Sequence, residues 1–214
     1  MIQEPWIGAK LPENHRILLL GESHYDGDNY GEKVSFSTAG VVRHYFEERK
    51  RWARFFDRMA ASFGYDREHA GDFYEQVCFG NYVDVICGIG DHHAEYYIGL
   101  HARSYNNDWF QFINDHEIDV LVCFSKRVFH SLPARTESEP HAWTSVGKVG
   151  SRNNYVDFCT YSPGVAHENC DVILKKPLKV YGIRHPSARG GYHAGDVYAF
   201  LCEEPPVQEL CCRK

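Results

Sequence analysis

Short runs of consecutive apolar residues recur along the chain, and polar or helical-period stretches separate them. The runs in Arg16 to Leu20, Tyr82 to Cys87, Val120 to Phe124 and Lys179 to Ile183 are too short for helices and too uniformly apolar to alternate. That is the pattern of strands buried on both faces. Between the first two, Tyr45, Trp52, Phe55, Phe56, Met59 and Phe63 fall near helical spacing, which predicts a helix from Thr38 to Phe63 with Gly64 placed to stop it. Asn107 to His116 predicts a second helix, Ser125 is placed to cap a third, and Gly195 to Cys202 predicts a closing helix that begins near Ala194. Ala134 to Val156 is polar and irregular and predicts no more than a short hairpin ending in Tyr155 to Thr160. Strands alternating with helices predict an α/β fold of three layers, α/β/α, around a central and mainly parallel sheet.

Length and composition narrow this further. A chain of 214 residues suits one domain over 1–214, with 1–15 as a lead-in and 203–214 as a peripheral tail. The eight cysteines are scattered among strand-like runs with no C-x-x-C pair, so they read as reduced core thiols rather than disulfides, zinc ligands or cluster ligands. No segment approaches the roughly 20 apolar residues that span a bilayer, and no basic stretch precedes an apolar one, so the expectation is a soluble, cytoplasmic protein. The net charge of −6 argues against coating nucleic acid nonspecifically, because phosphate neutralisation supplies most of that affinity. It leaves room for a local basic groove, to which Arg43, Lys126 with Arg127, and Arg184 with Arg189 are candidates. The cluster Arg49-Lys50-Arg51 with Arg54 reads first as a solvated helix face.

Two strand ends carry the chemistry. The first is followed by Gly21-Glu22-Ser23-His24-Tyr25-Asp26 and opens a loop running to Ser37, longer than the usual connection of about 4–6 residues. Gly21 permits a sharp turn and close backbone approach. The last strand is followed by Arg184-His185-Pro186-Ser187-Ala188-Arg189. There a proline and a serine-led turn would hold the imidazole in one direction, as a neutral acid or electrophile requires. In an open α/β sheet both ends lie at the carboxyl edge, where ligands bind.

Together these residues resemble the uracil-DNA glycosylase superfamily. Gly21 to Asp26 is similar to its first motif, His185-Pro186-Ser187 to its second, and Phe79-Gly80-Asn81-Tyr82-Val83 to the segment carrying its base-reading asparagine. The resemblance runs from about Arg16 to Leu201. It implies a DNA glycosylase that flips a nucleotide, uracil or a modified pyrimidine, out of single- or double-stranded DNA and hydrolyses its N-glycosidic bond. It also implies a monomer that needs no cofactor and no metal. Asn81 would read the base edge, Tyr25 would wall off the pyrimidine C5 side, and Phe36 would lie under the base. Gly21 and His24 would complete the base pocket. His185 would hydrogen-bond the negative charge developing on the base, a role worth about 3–4 kcal/mol. Arg184, Ser187 and Arg189 would face DNA, with Ser187 on a phosphate and Arg189 filling the vacated stack.

One position departs from the family pattern. Ser23 stands where the family has its water-activating aspartate, and a serine is no comparable base at neutral pH. Asp26, Glu22 and Asp84 are the nearby carboxylates that would replace it, with Asp26 ranked first. Two other readings follow from this gap. One is a module that binds nucleic acid or a nucleotide without cutting it, and the other is a hydrolase with Ser23 and His24 as nucleophile and base. The second lacks the Gly-x-Ser-x-Gly elbow.

Overall fold

A computed structural model of the chain describes residues 4–25, 38–48, 53–88, 93–149, 152–188 and 191–211. The protein is α/β. Its parallel centre consists of β2 (Arg16–Gly21), β4 (Cys78–Asn81), β6 (Ile118–Cys123) and β9 (Leu178–Gly182). Antiparallel strands flank it, β1 (Trp6–Ile7) on one side, β8 (Arg152–Tyr161) and β7 (His141–Val149) on the other. The order across the sheet is β1-β4-β2-β6-β9-β8-β7. The chain steps from β2 to β4 on one side, then returns past β2 to β6 on the other. That reversal opens a crevice at the carboxyl end of β2.

The apolar run in β2 explains how the sheet is covered. Successive side chains of a strand point to opposite faces, so Ile17 and Leu19 enter one core while Leu18 and Leu20 enter the other. The first core is covered by α1 (Thr38–Glu48), α2 (Ala53–Ala61), α3 (Ala70–Tyr74), α6 (Ala194–Leu201) and α7 (Pro205–Cys211). The second is covered by α4 (Ala94–Asp115) and α5 (Lys126–Ser131). Ser125 caps α5 as its sequence suggests, its hydroxyl accepting the Val128 N–H at 3.4 Å.

Several elements depart from expectation. The second parallel strand is Cys78–Asn81, not Tyr82 to Cys87; only Ile86–Cys87 of that run is extended, as β5 beside β3 (His24–Tyr25). Tyr82 and Val83 are fully buried, but as a turn whose N–H groups donate to the carbonyls of Gly21 and Glu22. Apolarity reports burial, not pairing. The second helix starts at Ala94 rather than Asn107, because Tyr96 and Leu100 face solvent and Asn106 is buried, which blurs the amphipathic pattern. The expected helix from Thr38 to Phe63 is described as two, α1 and α2, with 49–52 outside the described residues. The polar stretch before Val156 forms two long strands with an irregularity between Ser145 and Gly147, at an edge where one face stays partly solvated.

The tail is not peripheral. Val207 and Leu210 of α7 are buried in the first core, and the Tyr65 hydroxyl donates to the Leu210 carbonyl at 2.7 Å. Each such apolar side chain contributes about 1.5–3 kcal/mol on burial. Five described cysteines, Cys78, Cys87, Cys123, Cys159 and Cys170, are buried free thiols and Cys202 is a half-buried one. Among the described residues no helix is long and apolar enough to cross a membrane.

Candidate active site

A cleft of about 950 Å³ opens at the carboxyl edge where β2, β4 and β9 end. Ser23, His24 and Tyr25 line it from beyond β2, Phe79 and Asn81 from β4, and His185 and Ser187 from beyond β9. The two motif-bearing strand ends therefore meet, with the Asn81 segment between them. Gly40, Val41 and His44 of α1, Phe55 and Phe56 of α2, and Ile86 of β5 complete the walls.

Gly21 and Asn81 are register partners across β2 and β4. A Cβ on Gly21 would stand 2.3 Å from Asn81 Oδ1, so the glycine makes room for the amide. The amide nitrogen Nδ2 lies 3.0 Å from His24 Nε2, and the Thr38 hydroxyl reaches the same nitrogen at 3.5 Å. Because the Asn81 amide nitrogen can only donate, Nε2 is the acceptor and His24 is neutral. Burial reinforces this by pushing the imidazole down to about 4.

His185 is held from two sides. The Ser187 backbone N–H donates to its Nδ1 at 3.1 Å, and the Phe55 ring stacks on it at 5.2 Å with a 27° tilt. A backbone donor at Nδ1 leaves the proton on Nε2. Burial lowers its basicity, against the pull of the Glu22 carboxylate, which raises it. The result is a neutral imidazole with a fixed N–H donor.

The described carboxylates nearest the cleft are engaged elsewhere. Glu22 is buried, paired with Arg127, and accepts from the Ser125 hydroxyl at 3.4 Å. Asp84 sits beside the Tyr105 phenol of α4. Among the described residues no carboxylate lines the cleft. The Ser23 hydroxyl directs its one proton to backbone carbonyls, that of Val85 at 2.7 Å with that of His24 at 3.1 Å, and not to a base. His24 Nε2 faces Asn81 and Thr38 instead of that hydroxyl, which removes the serine–histidine hydrolase reading.

Tyr25 stays at the rim, 48 % exposed, its ring 6.0 Å from that of His93. Desolvation of its phenol and the adjacent Glu22 carboxylate both raise its pKa, so it remains protonated. Arg184 is half-buried and is not among the cleft walls. Asp26, Phe36 and Arg189 lie outside the described residues. No metal-ligating cluster occurs among the described residues. The walls supplied by His44 and Phe55 were not legible as such, because helical spacing merges them with the core stripe. Phe55 falls one position off the Phe56, Met59, Phe63 series, and that offset was the available signal.

Comparison of the sequence with protein-family models and with curated proteins gives no match.

Proposed function

We propose that this cleft receives an extrahelical nucleobase and that the protein hydrolyses its N-glycosidic bond, as a divergent member of the uracil-DNA glycosylase superfamily with that superfamily's fold. The observation that carries the reading is the fixed tautomer of His185, a neutral Nε2–H donor that lines the same aromatic-walled cleft as Asn81. In the reaction the C1′–N bond breaks and its electron pair departs with the base. The Nε2–H of His185 hydrogen-bonds the oxygen on which that negative charge accumulates. Water then bonds to C1′ through oxygen, its hydroxyl stays on the sugar, and its other proton ends on the base. A neutral imidazole suits this role because it stabilises a developing anion without first having to lose a proton. Asn81 reads the base edge, since its amide both donates and accepts. Uracil or a modified pyrimidine is the substrate class, and Asp26, next to Tyr25, is the carboxylate assigned to the water.

The test is incubation with oligonucleotides carrying normal, deaminated and hypermodified bases, followed by alkaline cleavage of abasic sites. Abasic product from at least one base, lost in His185→Ala, is the expected result. No product from any base would reject the reading. The second reading, a nucleic-acid or nucleotide-binding module without chemistry, is favoured by the lack of a carboxylate among the described cleft walls. Binding of the same oligonucleotides without any base release would select it.

A further inference from the structure

Helix α2 holds the loop that carries His185 at three points along one of its faces. Phe55 and Arg58 are three positions apart, and Ser62 extends the same helical path, its N–H donating to the Arg58 carbonyl at 3.1 Å. Phe55 stacks on the His185 ring, Nη1 of Arg58 donates to the Pro186 carbonyl, and the Ser62 hydroxyl lies 2.6 Å from that of Tyr192. Of the three, only Phe55 lines the cleft. Arg58 touches the loop from outside it.

The Pro186 contact falls on one particular peptide unit. The Pro186 carbonyl and the Ser187 N–H belong to the same rigid plane and point to opposite sides of the chain. Arg58 takes the oxygen of that unit, and His185 Nδ1 takes its hydrogen at 3.1 Å. The same four residues form a turn, since the Ala188 N–H donates to the His185 carbonyl at 2.9 Å. The Pro186–Ser187 peptide is the middle of that turn, and its rotation is what separates a type I turn from a type II turn. A type II turn would require a positive φ at Ser187, which Ser187 does not have. The imidazole thus accepts from the N–H two residues on, as the side chain of an Asx-turn does.

We propose that Arg58 is a positioning residue for His185, acting through the Pro186–Ser187 peptide to keep the imidazole hydrogen on Nε2. Its effect on base release rests on the reading of the cleft as a nucleobase site. Anchoring the oxygen stops the peptide plane from turning, and turning would carry the Ser187 N–H away from Nδ1. The guanidinium also draws electron density from the carbonyl it binds. Because hydrogen bonds in a chain polarise one another, the N–H at the far end of the peptide becomes the better donor. Both effects favour the tautomer with a bare Nδ1. The Phe55 stack cannot substitute for them, since it fixes the plane of the ring and is indifferent to which nitrogen carries the hydrogen.

The test uses the full chain with isotope-labelled histidines, and long-range proton–nitrogen correlation spectra at neutral pH read the His185 tautomer without any substrate. The wild type should show a bare Nδ1 and a protonated Nε2. In Arg58→Met, which keeps an unbranched apolar stem, a share of His185 should move to the Nδ1–H form. For base release, kcat should fall about 3- to 30-fold with little change in KM, a smaller loss than removal of the imidazole itself. Arg58→Lys, which keeps a cationic donor, should recover most of the spectrum and the rate. Ser62→Ala loosens the same loop at Tyr192 without touching the peptide, so its His185 spectrum should match the wild type. Arg58 is exposed, and thermal unfolding of each variant should confirm an intact fold. An unchanged His185 spectrum in Arg58→Met overturns the role, as does a wild type with its hydrogen on Nδ1. An equal change in Ser62→Ala also overturns it, by making Arg58 one general anchor of the loop. A tautomer that depends on Arg58, in a protein that releases no base from any DNA, would leave Arg58 as the positioning residue and reject the glycosidic activity.

Discussion

The backbone N–H of Ser187 lies 3.1 Å from Nδ1 of His185 and donates to it, which makes the other ring nitrogen the one that carries hydrogen. Protonating His185 would put a second hydrogen into that contact. The imidazole should therefore stay neutral and donating throughout the neutral range, its basicity lowered by burial. Base release should be flat through neutrality and fall only on the acid side of the ordinary histidine value of about 6.5. His185→Ala should reduce kcat about 100- to 1000-fold with little change in KM, and single-turnover kinetics would separate the two. His185→Gln, which keeps an N–H donor, should recover part of the loss.

His24 makes acid stability measurable at one residue. Its folded pKa is pushed down to about 4, below the unfolded value of about 6.5. Above 6.5 both states are neutral and the residue contributes nothing to pH dependence. As pH falls from 6.5 to 4 the unfolded chain takes up a proton that the native state refuses, so stability declines, by up to about 3 kcal/mol at pH 4. Urea unfolding at pH 7, 5.5 and 4 should show this decline in the wild type and a shallower one in His24→Asn. Equal slopes in the two proteins would contradict it.

Gly21 and Gly80 allow a paired experiment. In Gly21→Ala the new methyl would stand 2.3 Å from Asn81 Oδ1, and in Gly80→Ala 2.0 Å from Trp109 Cη2. Both should cost about 1–3 kcal/mol by overpacking. Only Gly21→Ala displaces the amide that faces the cleft, so it should also raise KM, while Gly80→Ala lowers the thermal midpoint and leaves KM unchanged. Matched KM values would show that the amide does not read the substrate.

The buried pair of Glu22 and Arg127 ties the end of β2 to α5. Removing only the guanidinium, in Arg127→Met, leaves a carboxylate without its partner and should destabilise by about 2–4 kcal/mol. That lies toward the lower part of the range for buried pairs because a third of the Arg127 side chain meets solvent. Glu22→Gln with Arg127→Met should recover most of the loss. A double-mutant cycle in urea gives the coupling, and a double variant no more stable than the single one would refute it.

The parallel centre was readable because β2, β6 and β9 are buried on both faces, which forces uninterrupted apolar runs such as Ile17 to Leu20. Where burial is one-sided or falls on a turn the pattern misled. Tyr82 and Val83 looked like a strand because they are buried, yet they form the turn that follows one. The length of α4 was hidden by Tyr96 and Leu100 on its solvent face, and the β7–β8 hairpin by the polar residues of an edge. The convergence of Gly21 and His185 was legible, since residues just past parallel strands must share one edge; that Asn81 ends a parallel strand was not, because the apolar run after it looked like the strand. That Ser23 and Glu22 are engaged elsewhere was not, because a serine or glutamate in a loop gives no sign of which carbonyl or guanidinium it will meet.

The position of β9 carries a consequence for how the molecule is made. It lies between β6 and β8, although β8 and β7 precede it in the chain. The hairpin therefore has no edge of the parallel sheet to join until the strand that follows it has slotted in. During synthesis the cleft floor, with Gly21 and Asn81, can assemble while its histidine wall is still missing. Non-local pairing of this kind slows folding. A nascent chain cut short before Leu178 would thus hold the Asn81 amide of the cleft floor and lack the His185 imidazole of its wall.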